Sequence, residues 1–342
     1  MKVPRRRPSA SPRARMPERL ARAGERFGVP AALIGVAAVW GGTFVLVADA
    51  ISRYPMYAFL ALRFAVATVA FVVLFPRVLK RLDAANLKMG LLAGVFLTAG
   101  YVFQTWGLAP EVGTTPARAA FITGLYVVIV PLMQAAIMRR APRWATILGA
   151  AMALAGLLLL SGAGLGGTWV LGDTLVAVCA VAYSVHMIVL GSTDERHDTG
   201  ALTLVQLIVV TLATGAISLA TETPGLPTDG MVWFAILLCG ILASAVAFVV
   251  QTWAQRRIPP ARVALILVTE PAFGGLFGWA VAGVAPLLEV AGASLMLGGM
   301  VTSEWVAARS APEEGVAFEA AVQGMPAPVV EDDREPTRMF AD

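Results

Sequence analysis

Ten long apolar runs, joined by short polar links, dictate what this chain can fold into. They lie at about 30–50, 57–75, 87–108, 116–138, 144–161, 169–190, 201–220, 231–253, 260–282 and 286–308. Each is near the length that crosses a hydrocarbon core of about 30 Å as a helix. A helix also satisfies its own backbone polar groups where no water is present. The expected fold is therefore an all-α polytopic membrane protein with ten transmembrane helices. Composition excludes a single water-soluble core: 14% of the residues are charged, against about 25% in soluble chains. Those charges are also segregated into the two ends and the links.

The sequence pI of about 9.4 does not indicate nucleic acid, because the basic residues sit at the ends of apolar runs, where membrane topology places them. Residues 1–29 read as a basic, disordered cytoplasmic tail containing Arg5, Arg6 and Arg7, and residues 309–342 as an acidic one containing Glu331, Asp332 and Asp333. Ala48-Asp49-Ala50 resembles a signal cleavage site, but the run before it is longer than a signal core and is read as the first span. Cys179 and Cys239 lie inside apolar runs and are read as packing residues, with no metal spacing.

The bias of Arg and Lys among the links sets the orientation. With the N-terminus cytoplasmic, Arg77, Lys80, Arg81, Lys88, Arg139, Arg140, Arg143, Arg196, Arg256, Arg257 and Arg309 all fall inside. The outer links then hold Arg53 and little else, so both termini are expected to be cytoplasmic in a bacterial-type inner membrane.

One pattern occurs twice. Gln104-Thr105-Trp106 and Pro116-Ala117-Arg118 return as Gln251-Thr252-Trp253 and Pro260-Ala261-Arg262, 147 and 144 residues later. Gly149 and Gly156 return as Gly292 and Gly299, 143 residues later. A nearly constant offset is the mark of internal duplication. The expected halves are 30–161 and 169–308. Five spans is an odd number, so the second copy enters the membrane from the opposite side. Two inverted five-helix repeats around one site suit alternating access.

Trp40-Gly41-Gly42-Thr43-Phe44, Leu62-Arg63-Phe64, the glycine-alanine-leucine run from Gly149 to Leu160, Gly172-Asp173 and Glu270-Pro271 carry a resemblance over about residues 31–308. The chain resembles the EamA type of the drug/metabolite transporter superfamily. That resemblance implies inverted five-helix repeats and export or exchange of small metabolites, amino acids or drugs. Family members often carry a Gly-Glu pair ending the fourth and ninth spans. Here those stretches read Met138-Arg139-Arg140-Ala141-Pro142 and Ala282-Gly283-Val284-Ala285-Pro286, so no role of that glutamate carries over.

Glu270 is the most informative single residue. An acid at mid-bilayer costs about 2.5–3.5 kcal/mol on insertion scales, so it faces the protein interior or a wet cavity. Pro271 removes a backbone hydrogen bond beside it and is expected to kink the ninth span. Glu270 is read as a proton carrier or a partner for a substrate amine, against a fixed hydrogen bond to Thr or Gln between helices. Arg63 is read either as a clamp on a substrate carboxylate or as a structural pair, with Asp49 in reach. Trp40 and Trp279 are candidate cavity walls, while Trp106 and Trp253 fit an interfacial belt. Thr43, Tyr101, Gln104, Tyr126, Tyr183, His186, Gln251 and Thr269 complete the candidate binding or coupling set; Gln134 and Gln206 are further polar groups inside spans. Gly90-x-x-x-Gly94 and Gly274-x-x-x-Gly278 allow close helix approach.

No Walker lysine loop, metal cluster or credible Ser/His/Asp set is present. The expectation is not an enzyme, without cofactor or metal, but a secondary transporter exporting a small solute, with proton coupling through Glu270. A passive exchanger and a non-transporting scaffold or sensor are the alternatives. The expected partners are a small-molecule solute and the lipid bilayer, with a homodimer left open and no nucleic acid.

Overall fold

The computed structural model describes residues 12–112, 114, 116–160, 169–223, 225–282 and 286–309. The acidic tail from 310 onward lies outside the described residues. Among the described residues every regular element is helical. The first half contains α1 (Pro12–Arg53), α2 (Met56–Leu74), α3 (Ala84–Gly107), α4 (Pro116–Thr123), α5 (Tyr126–Met138) and α6 (Trp144–Leu160). The second contains α7 (Leu171–Gly191), α8 (Thr199–Thr221), α9 (Gly230–Gly240), a π-helical segment (Ile241–Val246), α10 (Ala247–Gln255), α11 (Pro260–Leu267), α12 (Glu270–Ala282) and α13 (Leu287–Arg309).

Among the described residues eight segments are long and apolar enough to cross a membrane, and several run over more than one element: Gly28–Arg53, Met56–Leu74, Ala84–Gly107, Ala119–Met138, Leu171–Gly191, Thr199–Thr221, Gly230–Gln255 and Pro260–Phe277. The other two expected spans exist as helices but fall short. Helix α6 has 17 residues, about 25 Å at 1.5 Å per residue, and α13 carries Glu289 and Glu304. Helix α1 begins at Pro12, inside the segment expected to be an unstructured tail. Once an apolar stretch has nucleated a helix, extending it backward over Arg, Glu, Ala and Leu costs little.

Short polar links start the helices by supplying caps. Asp83, Asp198 and Asp229 accept the backbone N–H groups of Asn86, Ala201 and Met231 at 2.8, 3.0 and 2.7 Å. Helix α2 follows Pro55 and has no cap of its own. Glu222, from beyond α8, accepts the N–H groups of Tyr57 and Ala58 instead, both at 2.9 Å. Likewise Gln134 of α5 accepts the N–H of Ala261 at the start of α11 at 3.0 Å. In the α7–α8 link, hydrogen bonds from Arg196 and His197 lower the Asp194 carboxyl to about 2. Asp194 therefore stays ionised at any physiological pH.

The helix starts repeat at nearly constant spacing: 56 and 199, 84 and 230, 116 and 260, 126 and 270, 144 and 287. Contacts follow the same exchange. Helix α1 packs on α11 and α12, and its counterpart α7 packs on α4 and α5; α3 packs on α8, and α9 with its π segment packs on α2. The hydroxyls of Thr68 and Thr211, 143 residues apart, meet at 3.3 Å where α2 crosses α8. Gly90 and Gly94 seat against Val205 and Val209 of α8, and Gly274 against the Gly41 carbonyl, as small-residue spacing anticipates.

Helix α6 crosses α13 closely. Gly149 lies against Gly299 and Gly156 against Gly292, so these equivalent helices run antiparallel. A Cβ on Gly156 would sit 2.5 Å from the Gly292 carbonyl oxygen and 2.9 Å from the Met296 nitrogen. Gly156→Ala is therefore expected to destabilise the bundle by about 1–3 kcal/mol, the range for overpacking. Gly35→Ala, with nothing within 4 Å of its added Cβ, should be neutral or stabilising. Thermal unfolding of the two variants in one detergent checks the contrast.

Two large buried apolar clusters form the interior, and Trp40 packs against both. The outer face is also apolar, with Val73, Leu219 and Leu287 more than 70% exposed. Such a surface is solvated by lipid and is a liability in water.

Candidate functional site

Where the two halves meet, the helices enclose a cavity of about 70 Å³, room for several waters. Trp40, Thr43, Arg63, Tyr101, Gln104, Tyr126, Tyr183, His186, Gln251 and Glu270 all line it. Of the candidate set, only Thr269 does not: its buried hydroxyl donates to the Ile266 carbonyl at 2.7 Å. That bond turns it inward on its own helix end.

Two helix breaks aim residues at this space. The α4/α5 break falls at Gly124-Leu125 and the α11/α12 break at Val268-Thr269, with every helix boundary repeating after 144 residues. Pro271 has no N–H, so the Leu267 carbonyl lacks its α-helical donor, which weakens the helix at this break. The first residues beyond the breaks, Tyr126 and Glu270, hold equivalent places, and both face the cavity. Helix α1 reaches the second break through Gly41. A Cβ there would lie 2.3 Å from the Glu270 carbonyl oxygen and 2.7 Å from the Gly274 nitrogen.

Arg63 is 4% exposed and is held by neutral groups. Its Nε donates to Ser244 Oγ at 3.0 Å and its Nη2 to Tyr101 Oη at 3.2 Å. The guanidinium lies 4.9 Å from the Tyr101 ring centroid and 5.4 Å from that of Phe64, a cation–π arrangement. The π-helical segment contributes Ser244 and the Ala243 carbonyl, which accepts Trp40 Nε1 at 2.8 Å and lies 3.5 Å from Arg63 Nη2. Wide turns of this kind are frequent at functional sites.

The expected reach of Arg63 to Asp49 is not realised. Asp49 pairs with Arg53 one turn on, and Arg53 also bonds Asp229 at 2.7 Å. Among the described residues Arg63 Nη1 has no hydrogen-bond partner, and neither has the Glu270 carboxylate. The two groups do not form an ion pair with each other. The fixed hydrogen bond to Thr or Gln, weighed above for Glu270, is not formed either.

The other candidates make internal contacts. Gln104 accepts from Tyr183 Oη at 3.3 Å and donates to Thr123 Oγ1 at 3.4 Å. His186 Nε2 meets Gln206 Oε1 at 2.7 Å. Trp279 donates to Glu289 at 2.6 Å and stands outside the cavity. Trp253 walls a separate crevice of about 660 Å³ at the end of the bundle bearing Arg77 and Arg81, and Trp106 packs beside Leu175.

Sequence reasoning missed Ser244, Phe248 and Thr123. Phe248 was within reach, because it stands 147 residues after Tyr101, the same offset as the two Gln-Thr-Trp copies. Ser244 and Thr123 gave no such signal.

Apolar-surfaced helices in two corresponding halves, with ionisable side chains facing the cavity between them, define a multi-pass membrane protein of the transporter class. The chain belongs to the EamA-like transporter family, whose model matches twice, over residues 27–162 and 170–303. It is similar to an uncharacterized transporter of Archaeoglobus fulgidus, 28% identical over 263 residues, or 77% of this chain and 81% of the relative. A solved protein crystal structure, 23% identical, shares the fold with a TM-score of 0.67 over 82% of this chain and 98% of its own.

Proposed function

We propose that the chain is a secondary active transporter whose two halves lie inverted in the membrane and which exports a small zwitterionic solute of the amino-acid class by alternating access. The observation that carries this reading is the pair of unpartnered opposite charges in one cavity. Arg63 Nη1 offers two N–H donors suited to a carboxylate, and Glu270 offers a carboxylate to an ammonium group. A buried ion that the protein leaves unpaired is costly, and a zwitterion satisfies both at once. Glu270 also serves as the proton-coupling group when the solute is absent. The antiparallel crossing of α6 and α13, and the exchange of contacts between halves, support the inversion. The Arg and Lys bias supports cytoplasmic termini in the cell membrane.

Flux of radiolabelled amino acids into proteoliposomes tests the function. Absence of gradient-driven flux for every zwitterion in a broad panel would overturn it. Flux without dependence on any gradient would mark a passive exchanger, and no flux of any solute a scaffold or sensor. One observation favours a second reading: Trp40, Tyr101, Tyr126, Tyr183 and Phe248 give the cavity aromatic walls, which suit quaternary or drug-like cations. Tyr101 already carries Arg63 on its ring, and the guanidinium repels a solute that is only cationic, so the zwitterion is preferred.

Inversion has a separate test. Single cysteines at the exposed equivalent link positions 52 and 195 are expected to react with impermeant thiol reagents from opposite sides, 52 from outside and 195 from inside. Labelling of both from one side would refute the inverted arrangement.

A further inference from the structure

The two halves place equivalent glutamines at the cavity but treat them differently. Gln104 is engaged at both ends of its amide: Tyr183 donates to its oxygen and Thr123 accepts from its nitrogen. The residues equivalent to Tyr183 and Thr123 are Trp40, 143 residues earlier, and Leu267, 144 residues later. Leu267 has no polar group, and the Trp40 indole N–H is committed to the Ala243 carbonyl. Gln251 is thereby stripped of both counterparts. Its Oε1 is buried without a hydrogen-bond partner among the described residues, and the residue is 2% exposed. Thr252 Oγ1 and Gln255 Oε1 are also unpartnered, but of the three residues only Gln251 lines the cavity.

An unmade hydrogen bond on a buried acceptor is costly, and a ligand donor removes the cost. Gln251 lines the cavity with its unfilled Oε1 turned away from the open space, and a half-turn of its amide presents that acceptor beside the Glu270 carboxylate, apart from the cationic group Arg63. We infer that Gln251 sets the substitution state of the solute's cationic end: it takes a second N–H from an ammonium already paired with Glu270. This rests on the zwitterion reading above and sharpens it. A primary ammonium has three N–H donors and can satisfy both acceptors. A trimethylated nitrogen has none and leaves both empty, and a site built to bond an N–H rejects the analogue that lacks it.

The test uses the full-length protein in lipid nanodiscs with leucine, phenylalanine and their N,N,N-trimethyl betaines as probes, by titration calorimetry. The wild type should bind the primary amines at least about tenfold more tightly than the betaines, the scale of a charge-assisted hydrogen bond. Gln251→Met keeps the length and removes the acceptor. It should weaken the primary amines about tenfold and the betaines little, narrowing the preference by about that factor. Gln255→Met, which removes an equally unpartnered oxygen outside the cavity, should instead leave the ratio between the two probe classes unchanged. If Gln251→Met does not fold, Gln251→Asn, which withdraws the acceptor by one methylene, should narrow the same ratio.

An unchanged ratio in the folded variants would overturn the inference while leaving the zwitterion reading intact. A wild type that prefers the betaines would overturn it in favour of an aromatic cation box. A wild type that binds none of the probes removes the zwitterion reading, and the role of Gln251 with it.

Discussion

Glu270→Gln is expected to abolish the dependence of transport on a proton gradient and to weaken amino-acid binding more than tenfold. Glutamine fills the same volume, and the native carboxylate has no protein partner among the described residues, so no internal bond is lost and the fold should persist. What is lost is the charge. Charge-assisted hydrogen bonds are about twice as strong as neutral ones, and an amide cannot exchange the proton at all. Proteoliposome uptake with and without an imposed pH gradient measures both effects. Uptake insensitive to the gradient and to the substitution would remove Glu270 from the coupling mechanism.

Gly41→Ala should do comparable damage by a different route. Its added Cβ would meet the Glu270 carbonyl oxygen at 2.3 Å and the Gly274 nitrogen at 2.7 Å. Both are backbone atoms, so no side-chain rotation relieves the clash, and α1 must withdraw from the α11/α12 break. A stability loss at the upper end of about 1–3 kcal/mol is expected, together with loss of flux, since the break positions Glu270. At Gly42 an added Cβ would meet only the Phe277 ring, at 3.3 Å, and a ring can shift. Gly42→Ala should therefore lower the unfolding temperature much less. Equal losses at the two positions would show that the close approach of α1 to α12 is not what matters.

The path from sequence to structure was clearest where one residue type has one physical meaning. Apolar runs fixed where the helices lie, and Pro271 marked the break beside Glu270. The doubled Gln-Thr-Trp located both cavity glutamines. Other features depend on tertiary packing and leave weaker traces. The break at Gly124-Leu125 has no proline, and only its equivalence to the second break could have exposed it. The Ala243 carbonyl is available because of a π-helical turn, and no side chain announces that. Arg63 was weighed with a carboxylate near in sequence, but the fold surrounds it with a phenol, a serine hydroxyl and two rings. Arg262, visible only as a landmark of the duplication, forms a two-pronged bond with Glu304 at 2.5 Å in each arm. Glu304 is 42 residues away, and pairing at that distance cannot be read locally.

The unequal fates of Gln104 and Gln251 bear on how a solute lies in its site. A cavity with true two-fold symmetry would accept any guest in two interchangeable poses, head toward either mouth. The replacements of Tyr183 by Trp40 and of Thr123 by Leu267, with Glu270 opposite Tyr126 and Arg63 opposite Gln206, remove that degeneracy. On the proposed transport reading, a guest is expected to keep one heading, with the same end leading whenever a mouth opens.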